Sequence, residues 1–402
     1  MINIFTAPKE TYYGSGALEY LSAVSGDRAL IVTDPVIREL GLLDKVQDIL
    51  QAKGIKTSIY DRVEHDPSGE TVWRIFSEAQ VFKPDLFVGL GGGSPLDAAK
   101  GAWVLYENPG WAEYSVTEVM QAMPTCVLRE KARFTAIPTT SGTGSEATRA
   151  AVVTDHSLSP PLKAPWNSPQ LVPDLVILDP DLTLAMPPEV TANTGFDALV
   201  HAIECYITAP PSDLVDPLAI RSAQTICTWL PEAVADGNNA QAREKMHLAA
   251  YQAGLAFSNA RLGLVHGLAH ILGAEFGIPH GRANAFFLSP VFAFLYPTRS
   301  ERFASLVEAL DIPVDQARPP IEPLIEFLDH LKQKVGIPIA VKNSGLEETR
   351  FFDRLGPMAT RTMDLIMNVP EDFRRQGGLP EEPKTLERLF INAWKGTSFD
   401  LA

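Results

Sequence analysis

Leu86-Phe87-Val88-Gly89-Leu90-Gly91-Gly92-Gly93-Ser94-Pro95-Leu96-Asp97 is the stretch from which the rest of the chain is read. Its apolar opening is short and uncharged, the mark of a strand buried on both faces, and it runs straight into three glycines. Glycines let a backbone approach a diphosphate closely, and the helix that follows offers unpaired N–H groups and the positive end of its dipole. Pro95 suits the first turn of that helix, where no N–H is needed. Ser94 and Asp97 have the spacing of a capping box, with Asp in place of Glu. Strand, glycine loop and helix in this order predict a phosphate-binding turn, with Gly92, Gly93, Ser94 and Asp97 as candidate cofactor contacts. The loop is not the G-x-G-x-x-G fingerprint, so alone it does not name its ligand.

Outward from this stretch the same grammar repeats. Ala29–Thr33 reads as a strand ending at Asp34-Pro35, followed by a helix bearing Leu40, Leu43, Val46 and Leu50. Thr57–Val63 reads as a strand, and Val72, Ile75, Phe76 and Ala79 fall at helical spacing. Further strands are expected at 135–137, 151–154 and 175–178. Alternating strands and helices predict a doubly wound α/β domain built on a parallel sheet. Thr139-Thr140-Ser141-Gly142-Thr143-Gly144-Ser145-Glu146 follows a strand and offers hydroxyls and amides to phosphate or ribose oxygens. Asp34 can accept a hydrogen bond from a ribose diol and would repel a 2′-phosphate, but taken by itself an ordinary turn Asp before Pro35 is the better reading.

After Asp179-Pro180 strand patterns stop and long helical ones take over, from Pro187–Ile207 to Leu386–Ala393. The expected division is an α/β domain over 1–182 and an all-helical domain over 183–402. The chain has 402 residues, of which 46% are hydrophobic, enough for two cores. Its 34 basic and 49 acidic residues give a net charge of −15, which argues against a nucleic-acid footprint or an anionic membrane surface. Three cysteines in no CxxC spacing suit a reducing compartment. No apolar run reaches the ~18 residues of a membrane span, and no secretory signal is read at the start. A cytoplasmic protein is expected.

Five of the eight histidines lie between 201 and 280. Asp197 and His201 are four apart in a helical pattern, so they share a face. His266 and His270 repeat that spacing, and His280 follows in Ile278-Pro279-His280-Gly281, read as a turn. One carboxylate and three imidazoles from this group suit a borderline divalent cation such as Fe²⁺ or Zn²⁺. His247 is read as structural.

Four strings in order resemble the iron-dependent (group III) alcohol dehydrogenases: Gly91 to Lys100, Ile137 to Glu146, Thr194 to Glu204, and Gly263 to Gly281. The resemblance covers essentially the whole chain. It implies the dehydroquinate synthase-like architecture, with a dinucleotide-binding α/β domain followed by a helical metal-binding domain. It implies Asp197, His201, His266 and His280 as metal ligands, with iron foremost and zinc as the alternative, and His270 in proton transfer. Gly93, Ser94, Thr139, Thr140 and Thr143 would contact the cofactor, joined by Lys163 and Leu182. Asp34 matches the family's acidic residue near the adenosine ribose, favouring NAD(H). A homodimer or larger homo-oligomer is also implied. The expected activity is hydride transfer between the nicotinamide and a small primary alcohol or aldehyde.

The chain departs from the family pattern at three places, one being Met367-Asn368-Val369-Pro370, which only loosely matches the family's Asn-Pro-Arg stretch and includes positions 368 and 370, outside the residues that the structure describes. Asp66 stands where many relatives have Asn before Pro. Arg261 stands where relatives usually carry a small or neutral residue, and with Arg149 and Phe257 it is a candidate contact for a sulfonate, phosphonate or carboxylate on the substrate. A surface Arg near a helix start is the plainer reading. Glycerol-dehydrogenase-like and dehydroquinate-synthase-like enzymes share the architecture, and a non-catalytic nucleotide sensor is the alternative from another class.

Overall fold

The computed structural model describes residues 4–397 except 160, 316, 368 and 370. The chain divides into two compact units, one of Met1–Met186 with Gly237–Ser258 and one of Pro187–Asp236 with Asn259–Ala402. A single linear boundary does not describe this division, because a helix from the second half of the sequence belongs to the first unit.

The strands are β1 (Glu10–Tyr13), β2 (Arg28–Val32), β3 (Lys56–Tyr60), β4 (Leu86–Gly91), β5 (Arg133–Pro138), β6 (Ala150–Asp155), β7 (Leu162–Asn167) and β8 (Leu175–Leu178). The helices begin with α1 (Pro35–Glu39), α2 (Leu42–Ala52), α3 (Gly69–Phe82), α4 (Gly93–Glu107) and α5 (Val116–Ala122). They continue with α6 (Pro188–Thr208), α7 (Asp216–Ala235), α8 (Ala240–Ala260), α9 (Leu264–Phe276), α10 (His280–Ala309), α11 (Ile321–Lys334), α12 (Glu348–Met367), α13 (Glu371–Gly377) and α14 (Pro383–Lys395).

In the first unit six strands form a sheet in the order β1-β8-β5-β4-β2-β3, all pairs parallel. Strand alternation sends Leu30, Val32, Phe87 and Phe134 into one core with α3 and α4. Ala29, Ile31, Val88 and Ile177 enter the opposite core with α2. Both faces are therefore covered, and every residue of β4 is buried. The chain leaves β2 toward β3 on one side and proceeds from β4 toward β5 on the other. The carboxyl ends of β2 and β4 thus flank the switch point, where open α/β sheets bind ligands. Asp34 and Gly91–Ser94 stand there.

Residues 151–154, expected in the main sheet, lie instead in β6, which pairs antiparallel with β7 in a separate two-stranded sheet. Their β-branched run reports a strand but not its partner. The remaining helix of this unit, α8, docks on the second loop. Gly144 (φ +63) and Gly254 meet so closely that a Cβ on Gly254 would lie 2.8 Å from the Gly144 carbonyl oxygen.

Among its described residues the second unit contains helices and no strand. The turn expected at His280–Gly281 is a correction: both residues begin α10, which is kinked at Arg299 and whose Pro290 and Pro297 interrupt the periodicity that would have revealed it. Among the described residues no helix is long and apolar enough to cross a membrane.

Candidate functional site

In the second unit α6 presents Asp197 and His201 one turn apart, α9 presents His266, and α10 presents His280 at its first position. Donor atoms of Asp197, His201 and His266 all lie within 4.8 Å of one another, and all three residues are buried. Asp197 Oδ1 stands 3.8 Å from His201 Nε2, 3.7 Å from His266 Nε2 and 3.6 Å from His280 Nε2. Four N/O atoms each ~2.1 Å from one tetrahedral ion stand about 3.4 Å apart. The distances from Asp197 Oδ1 lie near that value, and one carboxylate with imidazoles is a donor set that suits a divalent cation.

Two residues the sequence reading passed over complete this cluster. Glu204, wholly buried, accepts from His266 Nδ1 at 2.6 Å and from the Val265 N–H at 2.5 Å. A proton held on Nδ1 leaves the Nε2 lone pair available to a metal, and Nε2 lies 3.7 Å from Asp197 Oδ1. Asn284 donates from Nδ2 to Asp197 Oδ1 at 2.7 Å, and that nitrogen also lies 3.1 Å from His266 Nε2 and 3.3 Å from His280 Nε2. The signals were present: Glu204 continues the Asp197/His201 face at i+7 and i+3, and Asn284 is four residues beyond His280.

Electrostatics point the same way. Burial alone would raise Asp197, yet the imidazoles of His201, His280 and His266 hold it far below the usual carboxylate range. Burial alone would lower His266, yet Asp197 and Glu204 raise it to about 9. Two buried carboxylates in one cluster call for positive charge, which a metal ion supplies. His270 is half-buried, its ring stacked on His280 at 4.8 Å between centroids.

The first unit gathers the phosphate loop and the second loop. Gly92 caps α4, Gly93 and Ser94 form its first turn, and the Thr139 N–H donates to the Gly91 carbonyl at 3.0 Å. A Cβ on Gly92 would lie 3.3 Å from Thr140, and one on Gly93 would lie 2.9 Å from Thr143, so the two loops touch. Asp34 caps α1 by accepting from the Ile37 N–H at 3.0 Å, and its other oxygen faces Gly91. Burial raises its pKa. Lys163 pairs with Asp66 at 2.7 Å, and the Asp66 N–H donates to Ser94 Oγ at 3.2 Å, which ties Lys163 to the loop through the residue that departs from the family pattern.

Other expected contacts sit differently. The Asp97 carboxylate turns to Ser145 Oγ at 2.6 Å and the Val152 N–H at 3.0 Å. Leu182 is packed in the core under the sheet. Arg149 donates from Nε to Asn167 Oδ1 at 3.0 Å in the first unit, where Phe257 is half-buried on α8. Arg261 belongs to the second unit, exposed at φ +119, and lines a cavity of about 340 Å³ with Thr208, Gly263, Leu264, Gly267 and Ile366.

A sheet with a glycine loop at its switch point and a helical unit with a carboxylate–imidazole cluster together define a class of nucleotide-linked metalloenzymes. The family model for iron-containing alcohol dehydrogenase matches residues 8–180, and that for the C-terminal part of the Fe-containing alcohol dehydrogenase family matches residues 191–377. An NADPH-dependent butanol dehydrogenase of Clostridium saccharobutylicum is 38% identical over 360 residues, covering 89% of this chain and 91% of that protein. A 1-propanol dehydrogenase of Citrobacter freundii is 38% identical over 338 residues, covering 83% of this chain and 86% of that protein. The solved iron-containing alcohol dehydrogenase of Thermococcus thioreducens superposes with a TM-score of 0.83 at 30% identity, covering 98% of this chain and all of that one (100%).

The chain belongs to the iron-containing alcohol dehydrogenase family. It is an oxidoreductase of the NAD(P)-dependent alcohol dehydrogenase type, and the family's cofactors are a nicotinamide dinucleotide and iron.

Proposed function

We propose that this chain reduces short aldehydes and oxidises the corresponding primary alcohols with NAD(H), including substrates that carry an anionic group. The observation that carries the reading is the buried Asp197–His201–His266 cluster with His280 beside it and Glu204 fixing the free nitrogen of His266. In it Asp197, His201, His266 and His280 hold the metal. When bound, the metal supplies Lewis acidity toward an alcohol or carbonyl oxygen, and the nicotinamide supplies hydride acceptance and donation.

The chain's own residues do the rest. His270, stacked on His280, passes the hydroxyl proton to solvent. The amides of Gly92, Gly93 and Ser94 hold the diphosphate at the positive end of α4. Thr139, Thr140 and Thr143 supply hydroxyls from the second loop, and Lys163 adds positive charge beside Ser94. Asp34 accepts from the adenosine ribose and repels a 2′-phosphate, which supports NAD(H), although one relative is named for NADPH.

The relatives named above are named for butanol and 1-propanol, which supports a short primary alcohol here. The anionic group is assigned to Arg261 at the cavity beside α9, where a guanidinium pairs two oxygens at once. The test loads the protein anaerobically with Fe²⁺ and follows NADH consumption with butanal, propanal and their sulfonate, phosphonate and carboxylate analogues. A preference for one anionic analogue that disappears in Arg261→Ala is the expected result. Equal change toward neutral and anionic aldehydes in that variant overturns the role of Arg261, and no turnover of any aldehyde by metal-replete protein overturns the reading.

A further inference from the structure

Behind the two loops of the first unit lies a buried charged cluster that no step above uses. Lys100, wholly buried on α4, donates from Nζ to the carbonyls of Ser145 at 2.6 Å, Thr148 at 2.8 Å and Ala150 at 2.9 Å. Thr148 Oγ1 lies 3.2 Å from the same nitrogen. Asp97, one turn earlier on the same face of α4, accepts from Ser145 Oγ at 2.6 Å and the Val152 N–H at 3.0 Å. Every one of these partners lies between 145 and 152, where the second loop ends and β6 begins.

On its remaining side the loop meets α8. His247 Nδ1 lies 3.1 Å from Ser141 Oγ, and Gly144 packs on Gly254. The loop is therefore held from the front by Gly92 and Gly93, from below by Asp97 and Lys100, and from behind by α8.

Such a cluster is a poor source of stability, because burying charge costs more than most pairs return. Burial pulls Lys100 down to about 8 although Asp97 and Glu146 stand near it, and burial lifts Glu146 to about 7. Three carbonyls around one nitrogen nevertheless require an ammonium, which has three protons to give. What the cluster supplies is geometry: a helix whose first turn faces the phosphate site is locked, through its second and third turns, to the loop on the other side of that site.

We infer that Asp97 and Lys100 are positioning residues for the dinucleotide, joining the phosphate loop and the second loop into one preformed cradle. This rests on the reading of the cradle as a dinucleotide site. A preformed cradle binds more tightly because the loop need not be ordered when the ligand arrives. Asp97 therefore acts behind the loop and not as a direct contact. The same holds for Lys100, which faces three carbonyls and a threonine hydroxyl.

The test measures NADH affinity by fluorescence titration, a readout independent of turnover, in the wild-type chain and in Lys100→Met, Asp97→Asn and Ser145→Ala. Ser145→Ala removes one hydroxyl and leaves the carbonyl that Lys100 holds, so it remains informative if Lys100→Met does not fold. Leu43→Ala, in the core on the opposite face of the sheet, serves as a control for general destabilisation. Lys100→Met and Asp97→Asn are expected to raise the Kd for NADH by about tenfold or more, and Ser145→Ala by a smaller factor. Metal content and kcat at saturating NADH stay within about twofold of wild type, since the cluster acts only on cofactor binding. Leu43→Ala lowers Tm without changing the Kd. Wild-type Kd in all three variants overturns the inference, as does an equal rise in Leu43→Ala at matched Tm. Failure of the wild-type chain to bind NADH overturns the reading of the cradle instead.

Discussion

Replacing Gly281 by alanine adds a single carbon at the point where α10 meets α6. Gly281 follows His280 at the start of α10, and a Cβ there would lie 1.8 Å from the Asn193 carbonyl oxygen and 2.7 Å from its carbon. The same carbon would lie 3.1 Å from Asp197 Cβ. Ordinary C···O contact begins near ~3.3 Å, so about 1.5 Å of separation must be found. The obstacle is backbone inside α6, which cannot swing aside as a side chain does. The start of α10 must therefore retreat from α6, carrying His280 with it.

The present 3.6 Å between Asp197 Oδ1 and His280 Nε2 then opens by an amount comparable to that retreat. Ligand distances tolerate only about ±0.2 Å, so one ligand is lost. Overpacking of this kind also costs ~1–3 kcal/mol of stability, and rigid backbone places it at the upper end. The assay is iron and zinc stoichiometry after reconstitution, with Tm recorded with and without metal. Gly281→Ala is expected to bind substoichiometric metal and to lose most of the metal-dependent rise in Tm. Gly356→Ala, on α12 where the added carbon meets nothing beyond its chain neighbours, is the control and should leave metal stoichiometry unchanged. Full metal stoichiometry and an unchanged Tm in Gly281→Ala would refute the argument.

Further predictions rest on other contacts. Glu204→Gln puts an amide where a carboxylate accepts from both His266 Nδ1 and the Val265 N–H, and metal affinity should fall about 10–100-fold in a chelator competition; an unchanged affinity removes Glu204 from the site. Asp34→Ser keeps an oxygen to cap α1 but removes the charge, so the NADH:NADPH ratio of kcat/KM should fall by about tenfold, the worth of one lost charged contact; an unmoved ratio denies Asp34 a part in cofactor choice. Burial lowers His247 from 6.5 to about 4, so between these pH values the unfolded chain binds the proton and the native chain does not. Stability tied to this residue is thus complete above pH 6.5 and declines as pH falls toward 4, by up to about 3 kcal/mol. Denaturant titrations at pH 7 and pH 4.5 should show a smaller loss in His247→Gln than in wild type; equal losses would assign the acid sensitivity elsewhere.

Much of this molecule is legible in one dimension. The run from Leu86 to Asp97 specifies a strand, a glycine turn and a helix because burial on both faces, conformational freedom and capping are local demands. The pairing of Asp197 with His201 was equally visible, since helical periodicity alone puts positions four apart on one face. Where periodicity is interrupted the sequence misleads: Pro290 and Pro297 conceal α10, and His280 reads as a turn residue although it begins that helix. Other features have no local signature. That β6 pairs with β7 and not with the main sheet, or that α8 joins the first unit, depends on partners far along the chain. The roles of Glu204, Asn284, Asp97 and Lys100 are of this second kind. Sequence by itself determined which chemistry the chain carries, because residue type and spacing set what each segment can form. Only the tertiary structure decided which of those groups come together in one cluster, because that depends on distances across helices and loops that are remote in sequence.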